Sequence, residues 1–332
     1  MRILFEVSGE HPLLPIAEIK ALLASQNILF RICKKGRVFI INAPMDLEVL
    51  KNLASRLALS FRINELLYSA QNRKTLMSNA KKIYVPPGTF RVRGKKIGDS
   101  DRKDNLMLIE KELGARIADD KKVDLKTPDT DIRILLTNKF YVCRKLFDID
   151  RRCFEQRRVI YRPFFSPISL HPRIARALVN LSGIKRGEKL LDPFCGTGGI
   201  LLEAGMIGAH VFGSDFEKKM VEGCKKTLDY YGIYPYTVFQ ADVGEIGKIG
   251  KVEGVVSDFP YGRSTRINSK LEDLYARAFE NIQAVLKKDR QAVVGLPNRD
   301  AVKIAEPYLE VLQIYPYWVH KSLTRYFTVF RA

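Results

Sequence analysis

Two short segments of the chain carry residue types that can bind a small ligand and hold an amino group. The first, Asp192-Pro-Phe-Cys-Gly-Thr-Gly-Gly199, joins an apolar strand-like stretch to a helical one. The second, Asp258-Phe-Pro-Tyr261, lies 66 residues later and follows another apolar stretch. Glycines let a backbone turn tightly and come close to a ligand. A carboxylate beside a proline and an aromatic ring can accept a hydrogen bond from an amino group on a flat ring.

Four aspartates extend this pattern along the C-terminal half. Asp192, Asp215, Asp242 and Asp258 each stand at or just after the end of a predicted strand. In a doubly wound parallel sheet such residues lie along one rim, which is where these sheets bind ligands. A row of carboxylates is unsuited to phosphate, but it suits hydroxyls, an amino group and a positive sulfonium. A helix N-cap or turn role is the alternative for any one of them, but four at consecutive strand ends favour a ligand site.

S-adenosylmethionine carries all of these groups. Asp215 follows Asp192 by 23 residues, near the spacing at which an acid binds a ribose in Rossmann-type folds. Phe216 is expected to pack on the adenine, and Asp242 to accept from its amino group. The Gly-x-Gly-x-x-Gly fingerprint of dinucleotide sites breaks off at Leu201, and the Gly-Lys-Ser/Thr of a P-loop does not follow. The sequence therefore predicts a site for S-adenosylmethionine.

The second segment is suited to positioning an exocyclic amine of a nucleobase, whose lone pair is delocalised into the ring. Asp258 can accept from one N–H, and a backbone carbonyl in Phe259-Pro260 can accept from another. Pro260 fixes the local φ, and Tyr261 can stack on the base, a contact worth about 1–3 kcal/mol. Cys195 is an alternative nucleophile, but it lies in the cofactor turn. We predict Asp258, Pro260 and Tyr261 as the catalytic residues.

Apolar runs and helical patterns predict the elements that position both segments. Strands are expected at 189–192, 211–215, 237–240, 254–258 and 291–296, with helices at 199–207, 217–231 and 271–286. This alternation is typical of a doubly wound parallel sheet. Strands at 308–314 and 325–330 are expected to close it as an antiparallel pair. The N-terminal half predicts an α+β unit, with strands at 2–7, 38–41, 90–96, 123–125, 132–137 and 140–144 and helices at 13–24, 47–59 and 106–117.

The chain is strongly basic, and the excess charge is concentrated in its N-terminal half. Its 332 residues include 56 Lys and Arg against 37 Asp and Glu, a net charge of +19, and residues 1–162 carry +14 of it. Such an excess favours a polyanionic partner, and a solvated basic surface is the alternative. The predicted RNA contacts lie on the strand at 90–96 and in the charged stretch at 148–163: Arg91, Arg93, Lys95, Lys96, Arg151 and Arg152.

Several classes of protein are disfavoured. Five scattered cysteines form no CxxC pair and no zinc spacing, and no histidine has a ligand-spaced partner, so we expect neither a metal site nor a disulfide framework. Glu6 interrupts the start before an apolar signal-peptide core develops. No apolar run approaches the roughly 18 residues of a membrane helix. These features predict a cytoplasmic protein.

At these residues the chain resembles the tRNA guanosine-10 N2-methyltransferase family, which joins a THUMP RNA-binding domain to a Rossmann-like methyltransferase domain. The similarity covers nearly the whole length. It rests on the cofactor loop at 192–198, the catalytic loop at 258–265, the segment at 165–176, the THUMP core at 90–93, 113–114 and 123–125, and the closing hairpin at 320–325. It implies a ferredoxin-like domain at 1–60, a THUMP domain at 61–147 and a methyltransferase domain at 164–332. The stretch at 148–163 is charged and nearly free of strand or helix signals, so we predict it as a basic linker.

The resemblance also implies ligands and partners. The segment at 165–176 would close over the methionine end of the cofactor. The cofactor-binding residues are then expected to be Asp192, Phe194, Cys195, Gly196, Gly198, Asp215, Phe216, Asp242, Val243 and His171. Some family members require a small zinc-binding activator protein. The chain departs from the family at Phe259, which replaces the first proline of the catalytic loop and leaves a backbone N–H where the family usually has none.

The activity that the resemblance implies is S-adenosylmethionine-dependent methylation of guanosine 10 in tRNA, giving its N2-methyl or N2,N2-dimethyl form. The THUMP domain would bind the acceptor end of the tRNA. N2-methylation of ribosomal RNA guanine and an RNA-binding protein with an inactive methyltransferase domain are the alternatives. The basic N-terminal half disfavours protein glutamine methylation. A module without an obvious groove-reading helix suits RNA better than DNA.

Overall fold

The computed structural model describes most of the chain, namely residues 1–98, 102–118, 121–166, 169–261, 269–320 and 323–332. Its contacts divide the chain into two units. The N-terminal unit comprises Met1–Pro12, Ile28–Ser55 and Ser60–Asp150. The C-terminal unit comprises Leu13–Asn27, Arg56–Leu59 and Arg151–Ala332. No helix of the described residues is long and apolar enough to cross a membrane.

The N-terminal unit contains a seven-stranded sheet with the order β2-β3-β1-β4-β7-β6-β5. Neighbouring strands are antiparallel except β5 and β6, which run parallel. The strands are β1 (Arg2–Val7), β2 (Arg31–Lys34), β3 (Val38–Asn42), β4 (Ser60–Ala70), β5 (Phe90–Lys96), β6 (Thr130–Leu136) and β7 (Phe140–Asp148). The helices that begin in the unit are α2 (Leu47–Arg56), α3 (Arg73–Ser78) and α4 (Leu106–Ile117).

Strands from residues 1–60 and 61–147 therefore share one sheet. β4 lies between β1 and β7 and joins the two segments. The helix α1 (Leu14–Ser25) is grouped with the C-terminal unit. Within that unit the buried Glu18 accepts hydrogen bonds from the backbone N–H groups of Ala58 and Leu59, both at 2.9 Å, and from the Asn180 amide at 2.8 Å. The assignment of residues 1–60 to a ferredoxin-like domain and of residues 61–147 to a THUMP domain stays a proposal.

The C-terminal unit contains a second seven-stranded sheet with the order β10-β9-β8-β11-β12-β14-β13. Its strands are β8 (Lys189–Asp192), β9 (His210–Asp215), β10 (Tyr236–Gln240), β11 (Val252–Asp258), β12 (Leu286–Leu296), β13 (Glu310–His320) and β14 (Leu323–Arg331). The first five are parallel, and β14 pairs antiparallel with both β12 and β13. The predicted doubly wound sheet with an antiparallel closing pair is confirmed.

Helices cover both faces of this second sheet. They are α5 (Arg152–Gln156), α6 (Pro172–Leu181), α7 (Gly199–Gly205), α8 (Lys218–Tyr230), α9 (Ser269–Val285) and α10 (Arg299–Ala305). Successive strand residues point to opposite faces. Val256 accordingly packs with Leu178 of α6 in one buried cluster, and Val255 packs with Phe279 of α9 in the other. Burial on both faces explains why these strands read as continuous apolar runs.

Three local expectations were wrong. Residues 123–125 form only an isolated bridge from Val123 to Phe90, not a strand. The stretch at 148–163 is not free of structure, because it contains α5 and the 3-10 turn Val159–Tyr161. The long strand β4 was missed because its pairing with β7 shifts register at two places, which disrupts the regular alternation of apolar and polar residues.

Candidate active site

A cavity of about 900 Å³ opens at the carboxyl ends of the parallel strands in the C-terminal unit. The strand order reverses between β8 and β11, and a doubly wound sheet binds ligands at such a point. Eleven of the predicted site residues line the cavity: Asp192, Phe194, Cys195, Gly196, Asp215, Phe216, Asp242, Val243, Asp258, Pro260 and Tyr261. The fold therefore brings the acids of four successive strands into one cleft.

The glycine turn after β8 is shaped by its contacts. Gly196 (φ 50°) and Gly198 (φ 79°) have the positive φ angles that glycine tolerates best. The Gly196 N–H donates to Asp215 Oδ2 at 2.9 Å. A Cβ at Gly196 would meet no atom within 4 Å, whereas a Cβ at Gly198 would lie 2.7 Å from Cys224 Sγ. Gly196 thus leaves open space beside the cavity, and Gly198 allows α7 to pack closely on α8.

Asp215, Phe216 and Asp242 form the rim beyond β9 and β10. Asp215 Oδ1 accepts from the Glu217 N–H at 3.0 Å, which fixes the carboxylate together with its bond from Gly196. The Phe216 ring is 74% exposed. Asp242 caps a 3-10 turn through the Gly244 N–H and lies 3.1 Å from the Arg277 guanidinium. The N-cap alternative therefore applies to Asp242 as a local role, although the residue also lines the cavity.

Asp192 is the most deeply buried acid of the site. It is 2% exposed, and its Oδ1 accepts from the Ser257 hydroxyl at 2.6 Å and from the Phe194 N–H at 3.2 Å. Burial raises the pKa of Asp192 to about 7, and the neighbouring Asp215 and Asp258 add to the rise. The carboxyl group is thus poised between its charged and neutral forms near neutral pH.

Asp258 lies at the end of β11 between an arginine and a tyrosine. Its Oδ2 is 3.1 Å from Arg325 Nη2, and its Oδ1 accepts from the Tyr261 hydroxyl. The guanidinium of Arg325 lies 5.3 Å from the centroid of the Tyr261 ring. Burial raises the pKa of Asp258, while the positive charge of Arg325 opposes that rise. Tyr261 therefore contacts the acid directly in this arrangement.

The loop after Asp258 is anchored by packing and by two hydrogen bonds. The Phe259 ring is 1% exposed and contacts the rings of Phe194, Tyr275 and Phe279 at centroid distances of 4.8–5.3 Å. The Phe259 N–H donates to the Gly295 carbonyl at 3.0 Å. The Pro260 carbonyl accepts from the Tyr275 hydroxyl at 2.7 Å. The N–H that replaces a proline is thus satisfied, and Phe259 and Pro260 are held from both sides.

Some predicted residues occupy other positions. Gly198 and His171 are not among the residues that line the cavity. His171 caps α6 through the Arg173 N–H, and its Nε2 lies 3.2 Å from Glu155. Cys195 is buried, and its hydrogen bond with Cys224 is the largest cause that raises the pKa of its thiol, which disfavours a nucleophilic role. Positions 262–265 of the resemblance lie outside the described residues.

The predicted RNA-contacting residues lie in both units. On β5, Phe90 and Val92 are buried, and Arg91, Arg93 and Lys95 alternate with them on the opposite face. Lys96 follows Lys95 and so points away from these three; its Nζ donates to the Arg102 carbonyl at 2.6 Å. Lys96 therefore lies on the other face of β5, and RNA contact by all four residues stays a prediction. In the C-terminal unit, Arg151 occupies the N-cap position of α5, and Arg152 is the first residue of the helix.

Residue-level reasoning missed three residues of the site. Arg325 follows the start of β14, Tyr275 lies on α9 and Gly295 lies near the end of β12. A Cβ at Gly295 would lie 2.4 Å from Asp258 Oδ1, so only glycine leaves room for that carboxylate. The position of Gly295 at the end of a strand beside β11 was a usable signal. The contact of Arg325 with Asp258 depends on the antiparallel register of β14 with β12, which cannot be deduced from the local sequence.

The residues present suit a ligand with a ribose, an aromatic base and a positive centre. Asp215 offers carboxylate oxygens to hydroxyls, the exposed Phe216 offers a flat apolar surface, and the open space at Gly196 allows close approach of the backbone. The acids lining the cavity favour a cation. A phosphate is disfavoured by the same charges. The arrangement therefore fits S-adenosylmethionine.

Comparison with known proteins agrees with this geometry. Residues 160–326 match a family model described as RMKL-like, methyltransferase domain. The tRNA (guanine(10)-N2)-dimethyltransferase of Methanothermobacter thermautotrophicus is 37% identical, and that of Pyrococcus abyssi is 33% identical, each over 98% of both chains. The crystal structure of TrmN from Thermus thermophilus aligns over the full length of both chains with a TM-score of 0.60 at 19% identity, which shows a common fold.

Proposed function

Because this chain belongs to the family of tRNA (guanine(10)-N2)-dimethyltransferases, we propose that it methylates N2 of guanosine 10 in tRNA. The methyl donor is S-adenosylmethionine, and the product is N2-methyl- or N2,N2-dimethylguanosine. One observation carries the proposal most directly: Asp192, Asp215 and Asp258 line one cleft, and Asp258 lies at its end on a firmly anchored loop. The nature of the substrate suggests a cytoplasmic location.

The cofactor, when bound, supplies a methyl group on a positively charged sulfur. We propose that Asp215 accepts from the ribose hydroxyls and that Phe216 packs on the adenine. Gly196 leaves room for close approach, and Asp242 and Val243 border the adenine. The negative charges of the rim would stabilise the positive centre. His171 caps α6 and does not line the cavity, so it would affect the cofactor site only indirectly, by holding the segment that precedes β8.

The amino group of guanine is proposed to bind at Asp258. Its carboxylate accepts from one N–H, and the carbonyl of Phe259 accepts from the other. The Phe259 ring is locked in the core and the next carbonyl is held by Tyr275, so these acceptors are preorganised. Such positioning can contribute several kcal/mol to lowering the barrier. Tyr261 would leave its bond to Asp258 and stack on the base.

Asp258 is also placed to take the proton that the amino nitrogen loses after it gains a methyl group. Burial raises the pKa of Asp258, which makes the carboxylate a better proton acceptor. Arg325 opposes that rise, because its positive charge favours the ionised carboxylate. The pair thus balances the acceptor form of Asp258 against its capacity to hold a proton late in the reaction.

The tRNA is proposed to contact basic residues of the N-terminal unit, with Arg93 and Lys95 as the more exposed of the three predicted cations that share one face of β5. Their side chains are 42% and 40% exposed. Arg91 is held by Asp131 at 2.6 Å and is less accessible. A small zinc-binding activator protein stays a proposal, and β13, at one edge of the second sheet, offers a strand for it to pair with.

The test is methyl transfer to transcript tRNA with labelled cofactor, followed by mapping of the modified nucleotide, with and without the activator. Asp258→Asn and Asp258→Ala are expected to lower turnover by about 10²–10⁴-fold. Cofactor affinity by calorimetry and tRNA affinity should stay nearly unchanged. Asp300→Asn, at an exposed position of α10, is the matched control for lost charge. Near-normal turnover in Asp258→Asn, or a label at another nucleotide, would contradict the assignment.

A further inference from the structure

Arg325 is the least exposed cation that lines the cleft, and the proposed chemistry uses it only as a neighbour of Asp258. It is 8% exposed, and it precedes Tyr326, which pairs with Leu296 at the end of β12. Its Nη2 lies 3.1 Å from Asp258 Oδ2. Among the residues that the structure describes, Arg325 Nε has no hydrogen-bond partner.

A buried guanidinium donor without an acceptor is unfavourable, because the group has lost water and gained nothing in exchange. Arg325 borders the cavity, so its guanidinium can also donate to a ligand group that lies beside Asp258. The ligand group must lie beside whatever binds Asp258, since the two side chains are in direct contact. This places an acceptor of the substrate next to its amino group.

Guanine has this arrangement on its Watson–Crick edge. Its N2–H and N1–H donors stand side by side, and the O6 acceptor follows. A carboxylate can accept from both donors, and an arginine beside it can donate to O6; arginine is the commonest partner of guanine O6 in nucleic-acid recognition. The geometry points to Arg325 as a specificity-determining residue: Asp258 and Arg325 together read the guanine edge. This inference rests on the proposed function of the same site.

Other bases do not match this pair. Adenine places the N1 acceptor next to its amino group, and cytosine places the N3 acceptor there, so each would bring a lone pair against the Asp258 carboxylate. A buried mismatch of this kind is rejected strongly, because the polar groups of the site are left unpaired. Arg325 also opposes the rise in the pKa of Asp258, which favours the acceptor form of the carboxylate that the pairing needs.

The experiment compares tRNA carrying guanosine with tRNA carrying 6-thioguanosine at position 10. The analogue keeps the 2-amino group and N1–H, but its sulfur is a weaker acceptor than O6. Arg325→Met is expected to lower kcat/KM for guanosine about 10-fold more than for 6-thioguanosine, within the range for a hydrogen bond to a charged group. An effect of Arg325 on the charge or placement of Asp258 would lower kcat/KM for both substrates equally, because both present the same donors to that carboxylate. The ratio of the two kcat/KM values therefore isolates the contact with O6.

An unchanged ratio would overturn the inference, even if both rates fell. Binding of S-adenosylmethionine measured by calorimetry reports whether Arg325→Met is folded. If it is not, the wild-type protein provides the test: its kcat/KM should be about 10-fold higher for guanosine than for 6-thioguanosine, and equal values contradict the contact. A wild-type protein that leaves guanosine 10 unmodified would refute the proposed function instead, so the two failures are distinguishable.

Discussion

Asp192 shows how burial gives one carboxyl group of the site an unusual pH dependence. Its pKa is raised from 3.8 to about 7 in the fold, chiefly by burial. The unfolded chain releases this proton near pH 4, while the folded chain retains it until about pH 7. The folded state therefore binds more protons in this window, and the contribution of Asp192 to stability falls as the pH rises from about 4 to about 7.

Replacing Asp192 with Asn is expected to remove this part of the pH dependence. The amide cannot ionise. Between pH 4 and pH 7 the free energy of unfolding of the wild type should therefore fall by up to about 4 kcal/mol relative to that of the variant, at about 1.4 kcal/mol per pH unit. Thermal unfolding of the cofactor-free protein at several pH values measures the difference. Asp300→Asn controls for net charge. Parallel pH profiles for wild type and Asp192→Asn would show that the fold does not perturb this group.

The residues that carry the site could be read from the sequence only in part. The four acids were found because parallel strands end on one rim, so a position along the chain predicts a position in space. Arg325 and Tyr275 reach the site from β14 and α9, and neither the register of an antiparallel pair nor the rotation of a helix is fixed by local pattern. Residue types at strand ends are therefore more predictable than the partners that hold them.

At the scale of elements, the residues directly after β11, Phe259 and Pro260, depend on contacts with α9. Tyr275 on α9 donates to the Pro260 carbonyl and packs against Phe259. Removal of the hydroxyl in Tyr275→Phe keeps the ring contacts but frees the carbonyl. We expect turnover to fall about 10-fold through looser positioning, with a loss of about 1 kcal/mol in stability and an unchanged affinity for S-adenosylmethionine.

Single-turnover methyl transfer and thermal unfolding measure these effects. Tyr230→Phe is the matched control, since its ring on α8 is 67% exposed. Wild-type turnover in Tyr275→Phe would mean that Phe259 packing alone fixes the loop.

Strands and helices were predictable where their burial pattern is regular, and less so where bulges or buried charges interrupt that pattern. The parallel strands β8 to β11 are short apolar runs and were found within two residues of their ends. The strand β4 was missed because bulges interrupt its alternation. The stretch at 148–163 appeared unstructured because of its arginines, yet Arg157 is buried and its Nε lies 2.7 Å from Glu203. The local sequence does not show that a charged residue will be buried against an oppositely charged partner.

For the whole molecule, the uneven charge is the feature that most affects substrate binding. The net charge of +19 favours a polyanion at long range, and the β5 face offers cations that are free to exchange partners. Arg93 lies 3.7 Å from Glu110, and Lys95 lies 3.5 Å from Glu6. The Arg93–Glu110 pair is partly exposed and contributes little to stability. Glu6 is 1% exposed, but it keeps Arg62 at 3.3 Å when Lys95 turns to a phosphate.

Arg93→Gln combined with Lys95→Gln is therefore expected to weaken tRNA binding without unfolding the protein. Each lost phosphate contact should reduce the magnitude of the slope of log affinity against log salt by about 0.7–0.9. The slope of the double variant should therefore be smaller than that of the wild type by up to about 1.8. Binding titrations at several salt concentrations measure the slope. Lys288→Gln with Lys303→Gln removes the same charge from exposed positions of the C-terminal unit and distinguishes local contacts from net charge. If both double variants lower the slope equally, the β5 face is not a binding surface and only the total charge matters.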